Sequence, residues 1–141
     1  MQSYFADALV NAPDIDAFNF DSVSNPTIEE IRERLFPFIE KLQGAHPGKP
    51  LIFQHTIYRE RRNFDLATEK NESERMRVVD ELMAEAVKRY KDVYYVTTTN
   101  ATSPKHDTSV DGTHPGDHGY SLWAESIQKP ILKILRKYGI R

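Results

Sequence analysis

The spacing of apolar residues along this chain predicts helices and strands in alternation. Four segments repeat their apolar residues at about every third or fourth position, the period of a helix with one buried face. These positions are Tyr4, Phe5, Ala8 and Leu9; Ile28, Ile31, Leu35, Phe38, Ile39 and Leu42; Met76, Val79, Met83, Ala86, Val87 and Tyr90; and Tyr120, Trp123, Ala124, Ile127, Ile131, Ile134, Leu135 and Tyr138. Three shorter segments are typical of strands, namely the alternating residues 15–21 and the apolar runs 50–55 and 93–96.

Local signals indicate where the helices begin, bend or end. Pro13 ends the first helical segment, and Thr27 with Glu30 predicts a capping box at the start of the second. Pro37 and Pro130 lie inside helical patterns, so we expect them to bend, shorten or interrupt those helices.

Two polar stretches are predicted to be loops. The Arg-rich residues 58–70 follow the second strand, and Asn71 together with Glu74 is predicted to open the third helix. Residues 97–110 follow the third strand. Strands separated by helices predict a parallel sheet covered on both faces, a three-layer α/β/α sandwich. In such a sheet, binding and catalytic residues usually lie at the carboxyl ends of the strands.

Length, charge and composition narrow the class of protein. The 141 residues are expected to form a single domain, 1–141. The net charge of −2, with 19 basic and 21 acidic residues interspersed, argues against a nucleic-acid binder. No segment approaches the ~20 apolar residues of a membrane helix, and no signal peptide is expected at this N-terminus. The absence of cysteine excludes a thiol nucleophile and leaves the cellular compartment open.

The most informative segment lies between Val110 and Tyr120. There Asp111 precedes His114 by three residues, in the run Asp-Gly-Thr-His-Pro. Within one loop, the carboxylate can fix the tautomer of the imidazole while the other ring nitrogen acts as a base. The structural alternative is a polar turn before a helix, because Gly, Pro and Asp favour turns for backbone reasons alone.

This segment resembles the Asp-x-x-His-Pro block near the C-terminus of SGNH (GDSL-like) hydrolases, which deacylate esters with a serine nucleophile. From about Asp14 onward, the order of elements is also similar to the later part of such a domain. The resemblance implies a flavodoxin-like sandwich of which this chain holds about three strands, with His114 as general base oriented by Asp111. It implies no cofactor, and leaves the substrate open among small-molecule and carbohydrate esters.

The same resemblance implies an oxyanion donor after the first strand. The family places an asparagine there, and Asn25 is the matching residue, although the usual Gly-x-Asn-Asp wording is absent. A preformed donor of this kind is worth about 3–4 kcal/mol of transition-state stabilisation. The alternative is an asparagine that caps or precedes a helix.

The serine nucleophile that the resemblance implies cannot be identified. The family carries it in a Gly-flanked turn after its first strand, and none of the eight serines lies in such a turn. They are Ser3, Ser22, Ser24, Ser73, Ser103, Ser109, Ser121 and Ser126. We therefore expect the chain to be the C-terminal portion of a hydrolase domain whose first two strands and nucleophile lie outside it or have been lost.

An incomplete sheet would leave residues 15–21 at an edge. The family's strand order, 2-1-3-4-5, normally gives this strand a neighbour on each side, so its outer backbone groups are expected to be unpaired. Phe18 and Phe20 share one face and are expected to lack part of their cover. We expect the isolated chain to self-associate through this strand or to be marginally stable.

Two other interpretations stay open. A metal site is suggested by His114 and His118 four apart, with Asp111, Asp117, His106 and Asp107 nearby. Pro115 and Gly116 oppose a regular helix there. The second is a non-catalytic module that binds a sugar or a partner protein, which the absent nucleophile favours and the Asp111–His114 pair opposes. His55, at a strand end, is expected to be structural or to touch substrate.

Overall fold

A computed structural model describes residues 1, 3–21, 23–98 and 108–141. In these residues three parallel strands form one sheet in the order β1-β2-β3. The strands are β1 (Phe18–Phe20), β2 (Leu51–Gln54) and β3 (Val93–Val96). The helices are α1 (Ser3–Val10), α2 (Ile28–Ala45), α3 (Leu66–Arg89) and α4 (Asp117–Arg136), and a 3₁₀ turn, Glu60–Asn63, follows β2. The predicted α/β architecture with a parallel sheet is confirmed.

The sheet lies between two unequal helical layers. The larger core packs α1, α2 and α3 against one face; its fully buried members include Ile31, Leu35, Ile39, Leu42, Leu51, Phe53, Val79 and Met83. On the other face, α4 packs Ile134 against Ile52 and Val96. All four residues of β2 are buried, and adjacent residues of a strand point to opposite faces. This strand is therefore covered on both sides.

The first strand is shorter than the predicted residues 15–21. Its first ladder bond runs from the Phe18 N–H to the carbonyl of Pro50, at 2.9 Å. In the same register, the carbonyl of Asp16 would need an N–H at position 50, which proline lacks. The strand therefore begins only at Phe18.

The strand β1 lies at an edge of the described sheet, as predicted. Backbone groups of successive residues point to opposite sides of a strand, so those of Asn19 face away from β2. The expectation that Phe18 and Phe20 lack cover was wrong, since they are only 5% and 6% exposed. The Phe38 ring of α2 packs on Phe20 at 5.3 Å between centroids, and His46 packs on Phe18 at 5.1 Å.

Both helices with an internal proline run through it. The capping box of Thr27 and Glu30 is present at the start of α2, which continues past Pro37 without shortening. A proline removes one backbone hydrogen bond, but buried apolar residues on both sides of Pro37 keep α2 packed against the core. Pro130 likewise lies inside α4 and does not interrupt it.

The third helix begins earlier than predicted, at Leu66, before the expected opening by Asn71 and Glu74. The carboxylate of Asp65 accepts hydrogen bonds from the N–H groups of Ala67 and Thr68, which caps the helix. Residues 58–70 are therefore a loop only in part. None of the described helices is long and apolar enough to cross a membrane.

We predict that Phe53→Ala lowers the free energy of unfolding by about 3–5 kcal/mol, because it leaves a cavity in the main core. Phe53 is fully buried and packs against Phe20 at 5.1 Å between ring centroids. The matched control is Phe64→Ala, at a side chain that is 90% exposed, with an expected change within about 0.5 kcal/mol. Chemical denaturation measures both. Equal losses of unfolding free energy in the two variants would contradict the placement of Phe53 in the core.

Candidate functional site

One carboxylate organises the loop that precedes α4. Asp111 Oδ1 accepts hydrogen bonds from the N–H groups of Thr113 (2.8 Å) and His114 (2.7 Å). Its other oxygen, Oδ2, lies 2.7 Å from Nδ1 of the His114 ring. An ionised carboxylate only accepts hydrogen bonds, so Nδ1 is the donor and Nε2 carries the lone pair. This is the tautomer that a general base requires.

The pair is open to other molecules. The side chains of His114 and Asp111 are 78% and 55% exposed. Nε2 of His114 has no hydrogen-bond partner among the described residues. The three hydrogen bonds, led by that from the His114 backbone N–H, hold the pKa of Asp111 well below its usual range. An exposed pair of this kind adds little to stability even when it is charged, so the consequence of this geometry is orientation of the ring.

Two backbone contacts close residues 108–116 on themselves. Ser109 and Pro115 form an antiparallel bridge, and the Gly116 N–H donates to the Thr108 carbonyl at 2.8 Å. Gly119, in the first turn of α4, permits this packing, since a Cβ there would lie 2.3 Å from the same carbonyl oxygen. Gly119 therefore lets α4 pack closely against the loop.

A buried glutamate anchors the beginning of this loop. Glu60, 9% exposed, accepts hydrogen bonds from the backbone N–H groups and the hydroxyls of Thr108 and Ser109. Burial alone would raise the pKa of Glu60, but these hydrogen bonds outweigh it and hold the pKa below its usual value. The carboxylate is therefore ionised at neutral pH and accepts from all four donors.

Arg61, the residue after Glu60, holds the middle of the loop. The N–H of Arg61 donates to the Gly112 carbonyl at 2.8 Å. Gly112 has φ +76°, and a Cβ there would lie 3.2 Å from the Arg61 backbone nitrogen. A side chain at this position would be strained in both respects, so glycine lets the loop close on the 3₁₀ turn.

Asn25 lies in the bend between β1 and α2 and is exposed. It is not the cap of α2, because that cap is Thr27. The carbonyl of the preceding residue, Ser24, accepts hydrogen bonds from Arg75 Nη1 at 2.6 Å and Arg59 Nη2 at 3.3 Å. The segment that carries Asn25 is thus attached to the segment that follows β2.

A pocket of about 580 Å³ opens at the ends of β2 and β3. Its wall includes His55, Tyr58, Asp80 and Tyr95, so His55 is positioned where it could touch a ligand. Nε2 of His55 lies 3.9 Å from Asp80 Oδ1, which also accepts from the Tyr95 hydroxyl. None of the described residues after Thr98 lines this pocket. We place the candidate site at the Asp111–His114 loop because its hydrogen bonds prepare a base.

Neither a metal site nor a serine nucleophile is evident in the described part of the chain. No three His, Cys, Asp or Glu side chains converge there to hold a metal ion. His106, Asp107, Ser22 and Ser103 lie outside the described residues. Among the others, the hydroxyls of Ser73, Ser109 and Ser126 bond to Glu69, Glu60 and the Trp123 carbonyl, respectively.

The contribution of Arg59, Glu60 and Arg61 was missed by the sequence analysis, which assigned them to a surface loop. Their partners lie far away along the chain, 48 positions for Glu60 and Thr108. The available signal was a glutamate between two arginines just after a buried strand, at the carboxyl edge of the sheet.

A family profile and one solved structure indicate the same family. The profile of the GDSL-like lipase/acylhydrolase family matches residues 1–133. A crystal structure described as a GDSL-like lipase from Bacteroides ovatus is 30% identical in sequence and has a TM-score of 0.85 over 96% of this chain. No match was found among curated proteins.

A second solved structure shares the fold. It is a salicylyl-acyltransferase from a tetracycline biosynthetic pathway, 18% identical, with a TM-score of 0.66 over 94% of this chain. The chain spans 40% of the length of the Bacteroides structure and 41% of that of the acyltransferase.

The geometry predicts an unusual titration of Asp111. Its pKa should lie below the ordinary aspartate value of 3.8, so the stabilisation it gives the loop is present above that value and is lost as the pH falls through the lowered pKa. In His114→Ala, the pKa should rise only part of the way, because the two backbone donors remain. Carboxyl NMR titration measures both.

Asp65 is the internal control for that titration. Hydrogen bonds from Thr68 and Ala67 also lower its pKa, and the His114→Ala change should leave it unmoved. An Asp111 that titrates at its ordinary value in the unmodified chain would contradict the observed hydrogen bonds.

Proposed function

This chain belongs to the GDSL-like lipase/acylhydrolase family, and on that premise we propose that it carries the base side of an acyl-transfer site. His114 is the general base and Asp111 orients it. The observation that carries the proposal is the Asp111 carboxylate, which binds both the backbone and the ring of His114 and leaves Nε2 free to take a proton. The substrate class is a small-molecule or carbohydrate ester.

In the proposed reaction, Nε2 of His114 accepts the proton of a serine hydroxyl as its oxygen attacks the ester carbonyl. The C–O bond of the ester then breaks, and the imidazolium returns the proton to the leaving alkoxide. Water releases the acyl group from the serine in the same way. If another hydroxyl replaces water, the same residues transfer the acyl group, which is the type of reaction named for the acyltransferase of similar fold.

Asn25 is proposed as the oxyanion donor. It is exposed at the carboxyl end of β1, and the carbonyl before it is held by two arginines. These contacts fix the backbone before Asn25, and its side-chain amide could then donate to the negative charge that develops on the carbonyl oxygen.

The nucleophile is proposed to come from outside these 141 residues. Two features support this: the chain spans 40% of the matched Bacteroides lipase, and no described serine bonds to His114. The same missing bond favours the second candidate, a family member that has lost its nucleophile and serves as a binding module. An in-frame Gly-x-Ser segment upstream of Met1 would distinguish the hydrolase from that module.

We predict that His114→Ala, in a longer protein that hydrolyses a short p-nitrophenyl ester, reduces kcat at least about a thousandfold, because the serine loses its proton acceptor. The matched controls are His118→Ala and His55→Ala, which should stay within about tenfold. Steady-state kinetics measures all three, and the 141-residue chain by itself should show no turnover.

Three results would contradict this assignment. One is a small effect of His114→Ala with intact folding. Another is turnover by the isolated chain that is abolished by changing one of its own serines. The third is a large loss at His118 that depends on added zinc, which would support the metal interpretation.

We also propose that the isolated chain self-associates through the edge of β1. The N–H and carbonyl of Asn19 face away from β2 and have no partner strand among the described residues. An edge of this kind can pair with the same edge of a second copy. The Asn19 side chain is held within the sheet, because its Oδ1 accepts a hydrogen bond at 2.8 Å from the buried Gln54 of the central strand.

The change Asn19→Pro tests this edge. It removes the outward N–H and leaves the bonds to β2, which Phe18 and Phe20 make. Light scattering should show that it shifts the chain to monomer. Asn19→Ala removes the same side chain but keeps the N–H, so it should stay associated. A stable monomer without any substitution, or equal association of the two variants, would refute pairing through β1.

A further inference from the structure

We propose that Arg59, Glu60 and Arg61 form a positioning bridge that sets the separation between the Asn25 segment and the Asp111–His114 loop. The catalytic meaning of this bridge rests on the proposed function. Its structural part, the mechanical coupling of the two loops, can be tested in the chain without turnover.

The topology places the bridge between the two loops. In the sheet order β1-β2-β3, the Asn25 segment follows β1 and the Asp111–His114 loop lies between β3 and α4. These two strands are not neighbours, because β2 separates them. The bridge follows β2, so it is the segment whose position in the fold lets it contact both loops at the carboxyl edge of the sheet.

The end of the bridge at the Asn25 segment is a network of charged hydrogen bonds. Arg59 donates to the Ser24 carbonyl at 3.3 Å and to Glu72 Oε1 at 2.9 Å. Arg75 donates to the same two oxygens, at 2.6 and 3.3 Å. Glu72 is 7% exposed, so one buried carboxylate fixes both guanidinium groups on the carbonyl that precedes Asn25.

The other end is the carboxylate of Glu60. It accepts four hydrogen bonds from Thr108 and Ser109, which lie three and two residues before Asp111. The Arg61 N–H adds a fifth contact, to the carbonyl of Gly112. The loop is therefore held on both sides of Asp111.

The two ends are joined by a very short piece of chain. Arg59 and Glu60 are consecutive, and the Cα atoms of consecutive residues are about 3.8 Å apart across a planar peptide. This short link limits how far one end can move before it displaces the other end or breaks its hydrogen bonds. Acyl transfer needs the base and the oxyanion donor at fixed positions around one carbonyl group, and this bridge supplies such a constraint.

The test uses two conservative variants of the 141-residue chain and reads the loop that each residue does not touch. Glu60→Gln keeps the side-chain volume but replaces a carboxylate that accepts from four donors. Arg59→Lys keeps the charge, but one ammonium cannot reproduce the planar fork that reaches both Glu72 and Ser24. Glu40→Gln is the matched control, because Glu40 links α2 to α3 through Arg89 and Tyr90, away from both loops.

Backbone amide NMR gives the structural readout. Glu60→Gln should shift the resonances of Ser24 and Asn25, and Arg59→Lys should speed hydrogen exchange at His114 and Gly116 by about tenfold to a hundredfold. Glu40→Gln should do neither. Changes confined to the loop that each residue contacts would overturn the bridge. If Glu60→Gln does not fold, the Arg59→Lys result decides alone.

Turnover in the longer protein gives the second readout. Both bridge variants should lower kcat by about tenfold or more and leave KM within about threefold, because substrate binding is retained while the reacting groups are misplaced. A rise in KM with unchanged kcat would overturn the positioning role. If the longer protein hydrolyses no ester at all, the proposed function fails, and the NMR comparison still decides whether the loops are coupled.

Discussion

The candidate site depends on the buried carboxylate of Glu60, which lies beneath the loop and not at its exposed pair. Glu60 is buried and ionised, and this is tolerable only because four donors from residues 108–109 surround it. Those donors belong to the beginning of the loop that carries Asp111 and His114. The cost of burying this charge thus selects one loop conformation, and Asp111 then imposes a tautomer on His114.

The fold brings the parts of this arrangement to one edge. Parallel strands direct their carboxyl ends the same way, so the segments after β1 and β2 and the loop before α4 meet there. Gly112 and Gly119 remove the side chains that would keep the loop from the 3₁₀ turn and from α4. Backbone approach and charge together make a firm support for the exposed Asp111–His114 pair.

Much of this fold could be predicted because apolar spacing is a local signal. The strands 50–55 and 93–96 and all four helices correspond to observed elements. The errors have physical causes that spacing does not encode. Pro50 shortens the first strand, Asp65 begins α3 early, and helical packing covers Phe18 and Phe20. In the site, the Asp111–His114 bond follows from a three-residue spacing, whereas the Glu60 contacts join residues 48 positions apart.

The ring tautomer of His114 shows most directly whether Asp111 prepares this ring to act as a base through Nε2. Nitrogen NMR of the folded chain, at a pH where its imidazoles are neutral, distinguishes a proton on Nδ1 from one on Nε2. We predict that His114 holds its proton on Nδ1, bonded to Asp111, while His118 of the same segment shows no comparable preference. The Asp111→Asn change should weaken the preference. A His114 that carries its proton on Nε2, or that behaves like His118, would contradict the assignment of Nε2 as the base.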